Sequence, residues 1–227
     1  SLGQKRISFF SGNRLLECWI EQENTSLRIG EIHCARVIKV EKLLNRIFYK
    51  LKNGLEVSSR LNNKNPNIGD LEIITIVAEE RENKPAHAQQ GFFLKGGSAI
   101  IIDTKEFLGI SKKIINRNER DRITAIAKDT GLYKAGAIIR SSAESNSDDE
   151  LEKNFTDLVD QWIEIKKINL DEKQEKKLFN GFSLEKQAQF LYPKTKLIKD
   201  KFSSRFNDLN GTNQILEAYN KIFKIRN

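Results

Sequence analysis

A chain of 227 residues, 31% of them charged and 38% hydrophobic, is long enough to bury a core and to hold one large domain or two or three small ones. Its formal charge of +8 and pI near 9.4 favour polyanionic partners, nucleic acid above all, through phosphate neutralisation and counterion release. No apolar run approaches the ~20 residues of a membrane-spanning helix, and no secretory n-region, h-region and cleavage site opens the chain. No membrane partner is therefore expected, and the expected setting is cytoplasmic. The two cysteines, Cys18 and Cys34, are too few for a disulfide framework and lack metal-ligand spacing.

In chain order, Ile7-Ser8-Phe9-Phe10 and Leu15-Leu16-Glu17-Cys18-Trp19-Ile20 flank the turn composition Ser11-Gly12-Asn13, which predicts a β-hairpin. A denser β pattern follows. Ile32 to Val40 and Arg46 to Leu51 read as strands, Lys52-Asn53-Gly54 as a hairpin turn, Leu55-Glu56-Val57 as the strand leaving it, and Gly69 to Ala78 as a further strand. Four or five short strands within about 55 residues predict a small barrel of the OB kind. On such a barrel Phe48 and Tyr49, with Arg46 and Lys50 beside them, make a stacking-plus-charge surface for single strands. Alternate strand residues point inward, so the other reading of Phe48 is that it fills the barrel.

From Phe92 to Ile102 the pattern reads as a strand with the pair Gly96-Gly97 inside it, marking a bulge or a close approach of backbone or ligand. Arg117 to Thr130 reads as a helix with Ile123, Ile126 and Ala127 on one side and Gly131 as its stop. Gly136 to Ala143 is the return strand, ending abruptly in Arg140 and the hydroxyls of Ser141 and Ser142. A guanidinium beside hydroxyls at a strand mouth grips a phosphate well; an arginine leaving a strand for solvent is the structural alternative. Ser147-Asp148-Asp149-Glu150 has the form of a capping box, ahead of a helix to about Ile168 whose stripe is Leu151, Phe155, Leu158, Val159, Trp162 and Ile165. Leu170 to Phe179 reads as charged and partly helical, with Lys173, Lys176 and Lys177 on a solvated face. Phe182 to Leu191 and Thr212 to Ile225 read as further helices.

Motif chemistry is sparse. His33 sits in a strand pattern and His87 in a loop, and neither belongs to a zinc-protease, P-loop, dinucleotide or nucleophile-elbow motif. The acids Asp148 and Asp149 are explained by the helix dipole at a first turn. The residues alone support a nucleic-acid-binding module and supply no catalyst.

Three segments carry a family resemblance. They are the barrel followed by Ala78-Glu79-Glu80-Arg81-Glu82-Asn83-Lys84; Phe93 to Ile101 with Ile110-Ser111-Lys112-Lys113-Ile114 and Glu119-Arg120-Asp121-Arg122-Ile123; and Gly136 to Ala143 running on to Trp162. In this order they resemble the N-terminal part of the ribonuclease E/G family, most closely its short alphaproteobacterial forms, over roughly residues 30–168. The resemblance implies an α+β protein: an S1-like OB barrel at 34–91, set into a split and shortened RNase H-like subdomain at 1–33 plus 169–200. A 5′-sensor-like subdomain at 92–168 and the start of a DNase I-like domain at 201–227 would follow.

It also implies roles. Arg140 and Ser141 would bind the 5′-monophosphate of an RNA end, with backbone from Gly96 or Gly97 and from Ile100 or Ile101. Phe48 would be the stacking aromatic of the barrel and Lys84 a basic partner, while Val57 or Ser58 stands where the family has a second aromatic. The complete family member is a Mg²⁺-dependent endoribonuclease of RNA processing and decay acting on single-stranded RNA. Its catalytic aspartates would lie beyond Asn227, so this chain is expected to bind without cutting and to need no cofactor itself. Oligomers would be expected of a form that includes the C-terminal part. The alternative is a stand-alone, non-catalytic RNA-binding or regulatory module.

Overall fold

The computed structural model describes residues 4–11, 14–22, 27–61, 66–80, 85–167 and 174–191. They divide into two units, Ser1–Thr25 with Ser183–Asn227, and Ser26–Phe182. In the first unit, β1 (Gln4–Ser11) and β2 (Arg14–Gln22) form the expected antiparallel hairpin, with a register shift between Phe9 and Phe10. Ile7 and Leu15 are buried, and Phe9 meets Trp19 edge to face at 4.8 Å, an arrangement that favours the ring quadrupoles.

The second unit opens with a barrel. Its strands are β3 (Glu31–Glu41), β4 (Arg46–Lys50), β5 (Glu56–Arg60), β6 (Leu71–Ala78) and β7 (Ala86–Gln90). They pair in the order β3-β4-β5-β7-β6, and β6 returns to β3, which closes a five-stranded barrel consistent with an OB-like fold. Only β5 and β7 run parallel. The β4–β5 turn is the predicted one, with Gly54 in the left-handed region (φ 85°) and its N–H on Leu51 O. The fifth strand, Ala86-His87-Ala88-Gln89-Gln90, is where a loop was expected. Its alternation is written in alanines, which fit the crowded interior but carry little β propensity.

Beyond the barrel lies an α+β layer. The expected strand at 92–102 is in fact a tight hairpin, β8 (Leu94–Lys95) and β9 (Ala99–Ile101), because Gly96-Gly97-Ser98 turns the chain and Gly96 N donates to Ala99 O at 2.9 Å. With β10 (Leu108–Ile110) and β11 (Ala137–Ile139) it makes a four-stranded sheet in the order β10-β11-β9-β8. Helix α1 (Arg117–Asp129) starts at the N-cap Asn116 and is followed at Gly131 by the left-handed stop. Helix α2 (Asp148–Lys166) carries the reciprocal Ser147/Glu150 capping box. Its stripe buries Leu151, Phe155, Leu158 and Ile165 in a core shared with Ile101, Ile123, Ala137 and Ile139, against which Val159 and Trp162 also lie.

The same core reaches Ile32 and Cys34 of β3 and Leu178 of β12 (Lys176–Asn180). The segment expected to be partly helical is thus an extra strand, antiparallel to β3. Lys177 is not simply solvated: its Nζ donates to Glu31 Oε1 at 2.9 Å, and Lys173 lies outside the described residues. Helix α3 (Leu184–Leu191) belongs to the first unit, where it contacts β1. The expectations for 196–198 and 212–225 fall outside the described residues. Among the described residues no helix is long and apolar enough to cross a membrane.

Candidate nucleic-acid interface

Two surfaces of the second unit bring together most of the predicted residues. The first is one end of the four-stranded sheet. Parallel pairing sets Ile110 level with Ile139, and antiparallel pairing sets Ile139 level with Ala99. Just past these positions Ser111, Arg140 and Ser98 fall side by side: Ser111 N donates to Ile139 O at 2.9 Å and Arg140 N donates to Ser98 O at 2.8 Å. The half-buried Arg140 side chain turns back over the β8–β9 turn, where Nη1 donates to Gly96 O at 3.0 Å and Gly97 O at 3.3 Å. Ser142 Oγ adds a bond to Gly97 O at 2.7 Å.

One corner of the guanidinium is therefore fixed by two carbonyls. Among the described residues its Nε and Nη2 have no hydrogen-bond partner and its charge has no carboxylate. Ser141 is exposed, and its hydroxyl makes no protein bond among the described residues. A cation held at one corner with its remaining donors open is preorganised for an anion.

Neighbouring groups hold this arrangement. Asn146 Nδ2 donates to Ser98 Oγ at 2.8 Å in a buried contact. Arg122 binds Glu119, Asp148 and Asn146 O, which ties α1 to the entry of α2. Those bonds, Glu119 first, hold the Arg122 guanidinium above its ordinary pKa. Arg120 Nη1 donates to Ser111 O at 3.0 Å and Ile114 O at 2.9 Å, clamping a turn whose Lys112 and Lys113 are exposed. Of the residues predicted to lend backbone to the pocket, Gly96 and Gly97 lie at the arginine, with their carbonyls accepting from it. Ile100 and Ile101 stand two and three residues farther along β9 from Ser98, and Ile101 is fully buried in the core.

The second surface is the outer face of the barrel. Strand alternation points Ile47 and Tyr49 inward and Phe48 outward. Phe48 is half-buried with Lys39 Nζ 5.7 Å from its ring centroid, and Lys39 also pairs with Glu41. Tyr49 requires a correction: at 0% exposure it is part of the barrel interior and cannot stack on RNA. Its hydroxyl donates to Glu72 Oε2 at 2.5 Å and accepts from Gln90 Nε2 at 2.8 Å, while burial, with Glu72 second, raises its pKa far above the usual phenol value.

Register aligns three rows across the outer face: Glu41, Arg46 and Arg60; Lys39, Phe48, Ser58 and His87; and Arg36, Lys50 and Glu56. Sequence reasoning found Phe48, Arg46 and Lys50 and missed Arg60, Lys39 and His87, because only register brings strands so far apart in sequence into one row. Lys84 lies outside the described residues.

Residues 93–220 match the model of the ribonuclease E/G family. The chain belongs to that family. No curated protein matches the chain. Family membership places it among ribonuclease-related proteins that bind single-stranded RNA. The two surfaces fall on either side of the start of the match: the sheet-end residues within it, the barrel before it. Members of the ribonuclease E/G family generally depend on Mg²⁺. Among the described residues no group of three or more His, Cys, Asp or Glu side chains could hold a metal ion. Several carboxylates are committed elsewhere: Asp148 to Arg122, Asp103 to Trp162 and Lys166, Glu31 to His33 and Lys177. Among the described residues these carboxylates do not form a site for the ion.

Proposed function

We propose that this chain binds single-stranded RNA and recognises a 5′-monophosphate end, as the non-catalytic part of a ribonuclease E/G-like endoribonuclease of RNA processing and decay. The observation that carries the reading is Arg140, anchored through Nη1 on Gly96 O and Gly97 O with its other donors and its charge unclaimed among the described residues. A terminal phosphate is dianionic or nearly so and matches a guanidinium fork. A 5′-hydroxyl offers no charge, so the same site discriminates between RNA ends.

Arg140 supplies charge and paired donors, Ser141 an additional hydroxyl, and the Gly96–Gly97 turn the backbone that shapes the pocket, with Ile100 and Ile101 behind it. The basic outer face of the barrel, centred on Phe48, holds the strand downstream. In domain terms we take 34–91 as the RNA-binding barrel, 92–168 as the end sensor and 1–33 plus 169–200 as a split RNase H-like subdomain; the expected DNase I-like start at 201–227 lies outside the described residues. Residues 1–227 bind without cutting.

The test compares affinities for one oligoribonucleotide carrying a 5′-monophosphate or a 5′-hydroxyl, before and after Arg140→Ala. Loss of a charged hydrogen bond costs ~1.5–3 kcal/mol, so the monophosphate preference should fall about ten- to a hundredfold. Equal affinity of the unmodified chain for the two ends would refute the end-sensing reading.

A further inference from the structure

The chain has two histidines, and their surroundings differ. His33 is 2% exposed, and its Nε2 pairs with Glu31 Oε2 at 2.9 Å. It is a satisfied core residue. His87 is half-buried on β7, and among the described residues neither ring nitrogen has a hydrogen-bond or ion-pair partner. Its neighbours Ala86 and Ala88 are buried in the barrel core, so alternation points the imidazole to the outer face.

Register then places it. Lys39 pairs with Phe48, Phe48 with Ser58, and Ser58 with His87, so one line crosses β3, β4, β5 and β7 from a cation through an aromatic ring and a small hydroxyl to an imidazole. Adjacent strands lie about 4.8 Å apart, which puts the backbones of Phe48 and His87 about 9.6 Å apart, two strand spacings. Among the described residues the register places Ser58 between them, a small side chain that is itself 3% exposed beneath its neighbours. The flanking row contributes Arg46 and Arg60, both exposed.

We propose that His87 is a second base-stacking group of the barrel face, so that Phe48 and His87 each carry one base of a single strand whose phosphates run along the Arg46–Arg60 row. Histidine rings serve as stacking platforms for unstacked RNA bases, and such stacking tolerates any base because every base has a π-face. The two-strand separation suits splayed bases, one on each ring. The assignment rests on the proposed RNA-binding role of the barrel and is independent of the Arg140 site.

The test uses the full chain and a uridine oligonucleotide with a 5′-hydroxyl, so that end recognition does not contribute to the affinity. Fluorescence anisotropy is measured for Phe48→Ala, His87→Ala, His87→Gln and His87→Phe. Removing a stacked ring should weaken binding roughly five- to a hundredfold. Phe48→Ala, His87→Ala and His87→Gln should each fall in that range, and His87→Phe should bind at least as well as the unmodified chain. Should His87→Ala fail to fold, the Gln and Phe variants decide, because only stacking separates them in this direction. Wild-type affinity in His87→Gln alongside a loss in Phe48→Ala would overturn the assignment of His87 while leaving the barrel reading intact. Wild-type affinity in Phe48→Ala would overturn the barrel reading itself.

Discussion

Gly136 leads into β11, which Arg140 directly follows, and its replacement by alanine is a stringent test of how that strand is held. At Gly136 φ is 64° and ψ is 98°, a conformation that costs a residue with a Cβ about 1–2 kcal/mol. The added Cβ would also stand 2.3 Å from Thr104 Oγ1, 2.9 Å from Thr104 N and 3.1 Å from Thr104 O. The hydroxyl can rotate away, but the backbone nitrogen cannot. It follows Asp103, which Trp162 Nε1 holds at 2.8 Å and Lys166 Nζ at 3.1 Å. Overpacking of this kind adds about 1–3 kcal/mol, so Gly136→Ala should destabilise the second unit by about 2–5 kcal/mol.

Gly131→Ala is the control. Its φ is 75°, but the nearest atom to a new Cβ is Lys134 Cδ at 4.0 Å, so only the conformational cost of about 1–2 kcal/mol applies. Trp162 reports unfolding beside the perturbed loop, and urea titration of its emission in a Trp19→Phe background measures both variants. Adding Thr104→Ala to Gly136→Ala should restore less than half of the loss, since the clash with the backbone nitrogen persists. A Gly136→Ala midpoint equal to that of Gly131→Ala would refute the claim that Thr104 closes over this position.

Two further outcomes concern the barrel and its junction with β12. Tyr49→Phe should cost about 1–2 kcal/mol in urea denaturation by stripping Glu72 and Gln90 of a shared hydroxyl, with unchanged RNA affinity; weakened RNA binding by the folded variant would return Tyr49 to the interface. At Glu31, burial raises the carboxyl pKa, but hydrogen bonds from His33 and Lys177 outweigh it and bring the net value below the ordinary 4.5. A folded pKa below the unfolded one means fewer protons bound in the folded state, so this stabilisation is present above pH 4.5 and is lost as pH falls through the folded value. Glu31→Gln should therefore be less stable than the parent at neutral pH, with the gap narrowing on acidification. A gap that stays constant down to ~pH 3 would refute the linkage.

Much of this protein could be read from local chemistry. The Ser147/Glu150 box, the stop at Gly131, the turn at Gly54 and the stripe from Leu151 to Ile165 are signals in which the deciding interaction lies within a few residues along the chain, and each is in place. Misreadings arose where the deciding partner is remote. Lys176–Asn180 looks helical and solvated by composition but is a strand because β3 offers an open edge. Ala86–Gln90 lacks β-branched residues and is a strand because β5 and β6 flank it on both sides. Gly96-Gly97 reads as a bulge or a close approach inside one strand, and the pairing of Leu94 with Ile101 makes it a turn.

The candidate interface divides along the same line. Legible in the residues were the basic balance, the arginine and hydroxyls at a strand end, Phe48 as an aromatic candidate with its direction open, and the segment order that resembles the family. Tertiary structure decided that Tyr49 faces inward, that His87 shares a row with Phe48, and that Arg140 rests on the carbonyls of a turn more than forty residues earlier. The physical reason is range. Caps, turns and amphipathic stripes are set by neighbours along the chain, whereas a strand's register, and with it which side chains meet on a surface, is set by strands that only the folded core brings together.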